Sequence, residues 1–282
     1  DDAIDDCQKL LASDASELAD IALRLAYACD AADRPEDARD ALERALDEDP
    51  ANAEVLDALQ DVYLRTGAYR ELANRLFADA QRTDDERVRF DRLLEVGRLR
   101  LEHLEEPATA VGPLSDALAL QPGHQRATLL LAEALAGAGL GDDAVALLEA
   151  AIARHAGRRS RELGELQHAM ARVVGDQDPA AALKWLVAAF ESYPKNAAVA
   201  EELASRGIAL AQFDLAMRAL RTLTARDFEP EVRARAYLGQ AHVALKQANS
   251  ARALMFAKKA YAEAPELAAV GHMLRSLDQR SN

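Results

Sequence analysis

The stretch "DRPEDARDALERALDEDP" (33–50) places a proline near each end of a run with helical periodicity. Pro35 suits the first turn of a helix, where its missing N–H costs no hydrogen bond, whereas Pro50 cannot continue a helix interior. The same frame recurs as "EPATAVGPLSDALALQP" (106–122) and "DPAAALKWLVAAFESYP" (178–194), with 72 residues between successive copies. The frame therefore predicts one helix per copy and a repeating architecture.

Each frame is the second half of a predicted helical hairpin. The segment before the first frame, "ADIALRLAYACD" (19–30), has its own apolar stripe of helical spacing, and "AADR" then interrupts it. A small or short residue near the start of each second helix recurs at steps of 34, 38, 34, 38, 34 and 37 residues, at Ala38, Leu72, Ala110, Ala144, Ala182, Ala216 and Ala253. The chain thus holds about seven hairpins. The extra residues, about one helical turn, follow the even-numbered second helices and predict longer helices at those joints.

These hairpins resemble the tetratricopeptide repeat. Among the residues that carry the resemblance are Leu25, Ala26, Ala38, Leu42, Ala45 and Pro50, and then Leu131, Ala132, Leu135, Gly139, Ala144, Leu148 and Ala151. The resemblance covers almost the whole chain, although the family's first-helix tryptophan is absent from every unit. It implies an all-α solenoid, a right-handed superhelix of antiparallel helix hairpins in which each hairpin packs only on its neighbours.

We predict a single domain over residues 1–282. Residues 1–16 look like the second helix of a truncated preceding repeat, residues 19–265 hold the seven hairpins, and residues 266–279 form a C-terminal capping helix. The chain opens without Met and already within an amphipathic pattern, which suggests a piece of a longer protein.

Charge is distributed unevenly along the chain, whose net charge is −14. Residues 1–61 hold 19 Asp and Glu against 5 Lys and Arg, and the rest holds 29 of each. An acidic chain lacks the electrostatic footprint of a nucleic-acid-binding protein, and no apolar run is long enough to span a membrane. Two cysteines do not make a disulfide framework, which favours a reducing, cytoplasmic location. The excess of arginine (28) over lysine (6) suggests a bacterial source.

Residues for catalysis, cofactors or metals are not apparent in the sequence. The six histidines have no metal-ligand spacing, and "GAGLGDD" (137–143) follows no strand and precedes no lysine, so it predicts a tight turn instead of a phosphate loop. Carboxylate pairs such as Asp57 and Asp61 predict a charged surface and not a general acid–base pair. We therefore expect no cofactor and no enzymatic activity.

The resemblance places the first helices on a concave groove that faces the partner. It implies these groove residues: Tyr27, Asp57, Asp61, Leu94, Arg98, Leu129, Glu133, Gln167, Glu201, Leu238 and His242. None is a lysine or an asparagine, the residues with which some relatives grip a C-terminal carboxylate. An apolar stripe edged with charge is typical of a groove for an extended peptide or a helix.

We interpret the chain as a scaffold or adaptor that binds a protein or peptide segment. The acidic N-terminal region predicts a partner with basic residues there and apolar anchors near Leu94 and Leu129. Two other functions fit the same pattern. One is a structural spacer within a larger bacterial protein, and the other is a regulatory sensor for a small molecule or peptide.

Overall fold

The computed structural model describes residues 18–50, 52–155, 157–175 and 177–281, and side chains as far as Leu277. This part of the chain contains fifteen α-helices and no strand. It is the all-α hairpin-repeat architecture that the sequence predicts. The helix expected at residues 1–16 lies outside the described residues.

First and second helices alternate along the chain. The first helices are α1 (Leu18–Ala31), α3 (Ala53–Thr66), α5 (Glu86–Glu102), α7 (Gln125–Gly137), α9 (Arg161–Val174), α11 (Ala197–Ala209) and α13 (Pro230–Lys246). The second helices are α2 (Pro35–Glu48), α4 (Tyr69–Arg82), α6 (Pro107–Leu120), α8 (Gly141–Ala153), α10 (Pro179–Ser192), α12 (Phe213–Leu223) and α14 (Ser250–Glu263). A final helix, α15 (Ala268–Ser281), follows the seventh hairpin.

The helices form two compact units, residues 1–138 and 139–282. In the first unit each helix from α1 to α7 packs on the next, and α1 also contacts α3, as α5 contacts α7. In the second unit, from α8 to α15, consecutive helices pack in the same way, and α13 contacts both α11 and α15. The single domain over residues 1–282 stays a prediction.

The proline frame sets the ends of second helices. Helices α2, α6 and α10 begin at Pro35, Pro107 and Pro179, and each ends two residues before its trailing proline. The residue between is not helical, as at Asp49 with φ −125° and ψ 83°, because the proline ring disfavours helical backbone in the residue before it. Tyr193, before the third trailing proline, has the same conformation.

Small residues line the hairpin seams, as the repeat steps predict. All seven residues used to measure the repeat are buried, none more than 1% exposed. A Cβ atom added at Gly207 of α11 would lie 3.3 Å from Ala216 Cβ of α12, so these two helices approach too closely for larger side chains. The close approach is what the small residue at this position permits.

The extra residues at the joints lengthen two first helices. Helices α5 and α13 have 17 residues, whereas the other first helices have 13 or 14. The prediction of a longer helix is wrong at the joint between α8 and α9, where the extra residues lie in the connection. There the Ser160 side chain accepts a hydrogen bond from Leu163 N (3.1 Å) and caps α9, so the helix begins only at Arg161.

A left-handed residue recurs in the turns within the hairpins. It lies two positions before the second helix, at Asp33, Gly67, Glu105, Gly139, Ala211 and Ala248, with φ between 53° and 80°. In five of these six turns the next N–H bonds back to the end of the first helix, as from Gln212 to Gly207 O (2.7 Å), which satisfies a terminal carbonyl. For a residue other than glycine this conformation costs about 1–2 kcal/mol.

We therefore expect Ala211→Gly to raise the free energy of unfolding by up to about 1 kcal/mol, because it removes the left-handed cost and adds a smaller entropic one. The reciprocal change Gly67→Ala should lower it by about 1 kcal/mol. The nearest atom to a Cβ at Gly67 is 3.8 Å away, so steric overlap does not contribute. Urea unfolding measures the free energy of unfolding of both variants. Shifts of equal size and the same sign for Ala211→Gly and Gly67→Ala would contradict the expectation.

Two glycines in one hairpin should respond oppositely to the same substitution. A Cβ at Gly97 of α5 would lie 2.3 Å from Leu114 Cγ of α6, whereas nothing lies within 4 Å of a Cβ at Gly112 of α6. We expect Gly97→Ala to destabilise by about 1–3 kcal/mol through overpacking. Gly112→Ala should stabilise by about 1 kcal/mol through helix propensity. Thermal melts of the two variants measure these opposite changes in stability. A Gly97→Ala variant that is more stable than the original chain would exclude a tight seam between α5 and α6.

Candidate functional site

The predicted groove residues of the first unit lie on the solvent side of their helices. Tyr27 of α1 is 81% exposed, and Asp57 and Asp61 of α3 are also exposed. Leu94 of α5 and Leu129 of α7 are half-buried. We call this surface of α1, α3, α5 and α7 the N-terminal face.

Ion pairs join neighbouring first helices across this face. Arg65 of α3 pairs with Asp30 of α1. Arg92 of α5 is 3.2 Å from Asp79 of α4 and 3.8 Å from Asp57 of α3. Each aspartate precedes its arginine by 35 residues, which is about one repeat. The two members of each pair, Asp30 with Arg65 and Asp57 with Arg92, therefore occupy matching places in successive hairpins. The pairs neutralise part of the acidic surface.

Several carboxylates of the N-terminal face stay uncompensated. Asp20, Glu54 and Asp61 are exposed, and none has an ion pair among the described residues. They share a helix side with Tyr27 or Asp57, because residues three, four or seven apart on a helix lie on one face. The result is a surface on which exposed carboxylates outnumber bases, and which also carries the exposed Tyr27 ring and, three residues before it, the exposed Arg24.

Arg98 does not offset this charge. Its guanidinium donates hydrogen bonds to Glu95 (2.9 Å) and to Glu102 (2.7 Å) of its own helix. The bond to Glu95, opposed by partial burial and reinforced by Glu102, raises the pKa of Arg98 above its ordinary value. Arg98 is therefore held between two glutamates, while Glu133 lies exposed on α7.

In the second unit one predicted groove residue is turned inward. Gln167 of α9 is only 9% exposed, and its side-chain oxygen accepts a hydrogen bond from Ser192 Oγ of α10 (2.7 Å). The role of Gln167 at a partner surface stays a prediction, but in the structure the buried residues Leu163, Leu166 and Met170 lie on the same side of α9 and bring Gln167 into the hairpin seam. The adjacent residue, His168, faces α11 instead.

The other predicted residues of the second unit are split between an ion pair and open surface. Glu201 of α11 accepts a hydrogen bond from Arg235 of α13 (3.1 Å). Leu238 is half-buried and His242 exposed on α13. In this unit the described carboxylates of α11 are therefore engaged by basic groups.

A partly buried network of side-chain hydrogen bonds connects α9 to α11. His168 Nε2 is 2.8 Å from Glu202 Oε2, and Arg206 Nε donates to Glu202 Oε1 (2.9 Å). Partial burial by itself raises the pKa of Glu202, but the hydrogen bonds from His168 and Arg206 outweigh it and hold the pKa below its ordinary value. The network stabilises the ionised carboxylate and fixes the register of the two helices.

The residues that sequence reasoning missed are the partners of the groove residues. Arg65, Arg92, His168 and Arg235 each meet an opposite group 34 or 35 residues away. A search for opposite charges one repeat apart would have found them. Their pairing decides which charges of the face are left for a partner.

The described part of the chain offers neither a metal-binding cluster nor a membrane-spanning helix. No group of three or more His, Cys, Asp or Glu side chains in that part could hold a metal ion. None of its helices combines the length and the apolar character needed to cross a membrane.

Known proteins share these hairpins. A model of the tetratricopeptide repeat family matches residues 104–167. A tetratricopeptide repeat protein from Parabacteroides merdae aligns over 93% of this chain and 99% of its own, with 17% identity and a TM-score of 0.52. The C-terminal part of a repeat protein from Cytophaga hutchinsonii aligns over 89% and 98%, with 11% identity and a TM-score of 0.57. These likenesses show the fold. Among curated proteins no sequence matches this chain.

The Glu202 network should make stability depend on pH. Because the pKa of Glu202 is lower in the folded state, its contribution is complete above the unfolded pKa of about 4.3 and is lost as pH falls through the folded value. We expect Glu202→Gln to cost about 1 kcal/mol near neutral pH and nothing at pH below the folded pKa. The neighbouring Glu201 provides the control, because its pair with Arg235 is more open to solvent: Glu201→Gln should change stability by less than about 0.5 kcal/mol. Urea unfolding measures the stability of both variants from neutral pH to below the folded pKa of Glu202. An equal loss of stability in Glu202→Gln and Glu201→Gln at every pH would contradict the role of the network.

Proposed function

We propose that the chain is a protein-interaction module without catalytic activity. The basis is that the tetratricopeptide repeat family model matches residues 104–167 and that the hairpins on either side have the same fold. The binding surface of the chain is the N-terminal face, and its partner is a protein or peptide segment. The segment carries basic residues where it meets α1 and α3, and apolar anchors where it meets α5 and α7.

The observation that carries the proposal is the exposure of Tyr27 on a face where carboxylates outnumber basic side chains. The ring is 81% exposed, so folding of the chain does not bury it. Tyrosine is enriched at the energetic centres of protein interfaces, because it buries a large ring and keeps a polar end. An arginine or lysine of the segment would also be attracted to the face of the ring.

Charge and apolar contacts would act at different steps. Asp57 and Asp61 are exposed, so their attraction for a basic segment is screened over about 10 Å at 0.1 M salt and acts mainly on association. Leu94 and Leu129 are half-buried and offer apolar area that a segment would cover. Apolar burial is insensitive to moderate salt and would mainly slow dissociation.

The test uses a fluorescein-labelled synthetic peptide that combines arginines with leucines, and a second peptide with every arginine replaced by glutamate. We expect the basic peptide to bind more tightly, with an association rate that falls as salt rises from about 0.1 M towards 1 M. The double variant Asp57→Lys with Asp61→Lys should lower the association rate at least about tenfold and change dissociation less. Fluorescence anisotropy and stopped-flow measurements give both rates.

A matched control carries the same change of charge elsewhere in the unit. Glu48→Lys with Asp84→Lys reverses two exposed carboxylates that are not on the N-terminal face. It should leave the association rate within about twofold of the original chain, since distant exposed charges are largely screened. Equal binding of both peptides, or equal effects of the two double variants, would contradict the proposal. Failure to bind either peptide would favour a structural spacer.

A further inference from the structure

Helix α14 presents a basic surface with an apolar centre. Met255 is 44% exposed, and Arg252, Lys258 and Lys259 lie three or four residues away on the same side of the helix. Tyr261, 52% exposed, borders this group beside Lys258. We call these five residues the α14 face.

Among the described side chains, no carboxylate forms an ion pair with the cations of the α14 face. Arg252, Lys258 and Lys259 have no ion pair among the described residues. Glu263, the one acidic residue of α14, is instead held by Arg233 of α13 at 2.6 Å. The basic groups of this face are therefore available to a partner.

Aromatic rings position two of these cations. The guanidinium of Arg252 lies 5.5 Å from the centre of the Phe256 ring. The Lys259 ammonium lies 5.7 Å from the Tyr237 ring and 5.9 Å from the Phe256 ring. Such contacts hold a long side chain in place without cancelling its charge, so less conformational entropy is lost when a partner binds.

We propose that the α14 face of one copy of the chain docks on the N-terminal face of a second copy. This names the partner of the proposed binding surface and so rests on the proposed function. The first copy supplies the basic groups, and the second supplies Asp57, Asp61 and the Tyr27 ring. The occupant of the acidic surface is thus another molecule of the same protein.

Complementarity of charge and of composition supports this pairing. The segment expected on the N-terminal face is basic with apolar anchors, and the α14 face combines three cations with Met255 and Tyr261. Methionine and tyrosine are enriched in protein interfaces. The helices also match in extent, because α14, α1 and α3 each have 14 residues, about 21 Å.

The contact joins two different surfaces, and this determines the kind of assembly. Each copy carries one α14 face and one N-terminal face, so the contact is head-to-tail. Such contacts extend into open chains unless the rotation between copies closes a ring. An anionic membrane is a weaker candidate for the α14 face, because a chain of net charge −14 is repelled by anionic lipid.

The experiment measures self-association of the purified chain by sedimentation velocity over a concentration series. At about 0.1 M salt we expect species larger than the monomer that increase with concentration, and at about 1 M salt we expect dissociation. Lys258→Glu with Lys259→Glu should weaken the association at least about tenfold. Asp57→Lys with Asp61→Lys should weaken it to a similar degree. The control Lys184→Glu with Arg221→Glu makes the same charge change at exposed sites outside the α14 face and should leave association unchanged.

Charge exchange supplies the decisive comparison. A chain with all four reversals exchanges the sign of charge at the sites that the proposal pairs, so it should associate more strongly than either double variant alone, as should an equimolar mixture of the two double variants. Thermal melts report whether each variant folds, and rescue in the fourfold variant excludes loss of association through misfolding.

Several results would overturn the inference. They are a wild-type chain that sediments as a monomer at every concentration at low salt, an α14 variant that associates normally, or a fourfold variant that does not recover. Binding of phosphatidylserine vesicles by a chain that stays monomeric would assign the α14 face to lipid. A monomeric chain that still binds the basic peptide would leave the proposed function standing and remove only self-assembly.

Discussion

The close approach of the two helices of a hairpin within each unit is the constraint on which the rest of the structure depends. In these hairpins a small or short buried residue occupies the seam, and at the α11–α12 seam Gly207 faces Ala216 with no room for a larger side chain. Within each unit, successive hairpins pack side by side. This side-by-side packing makes a residue and its counterpart one repeat later neighbours in space.

Because successive hairpins pack side by side, the spacing of charged residues along the sequence determines which of them form ion pairs. Charges 34 or 35 residues apart meet across first helices, as Asp57 meets Arg92 and Glu201 meets Arg235. In the second unit these pairs engage the described carboxylates of α11. In the first unit the acidic residues outnumber the available partners, so Asp61 and its neighbours stay open to solvent. Exposed ion pairs add little stability, and their larger effect is to decide which charges are left over.

Charged side chains that form no ion pair among the described residues give the chain two distinct surfaces. Within the described part of the chain, the N-terminal face carries carboxylates without an ion pair beside the exposed Tyr27 ring, and the α14 face carries cations without an ion pair beside Met255. Neither surface is needed for a hairpin to pack on its neighbour, because both lie on the solvent side of their helices. Binding and folding are therefore carried by different sides of the same helices, which lets the surfaces vary without loss of the fold.

The sequence by itself determined the hairpins, because prolines, seam residues and apolar stripes act locally. Pro35 and Pro50 bound a helix wherever it packs, and Ala38 fits a seam for the same steric reason. Side-chain partners were decided only by the tertiary structure. Gln167 and His168 are adjacent in sequence, yet one is buried in the hairpin seam and the other bonds Glu202, because the rotation of α9 about its axis depends on how its neighbours pack. Likewise the charge at Asp57 is evident from the sequence, but its distance from Arg92 depends on the stacking of three helices.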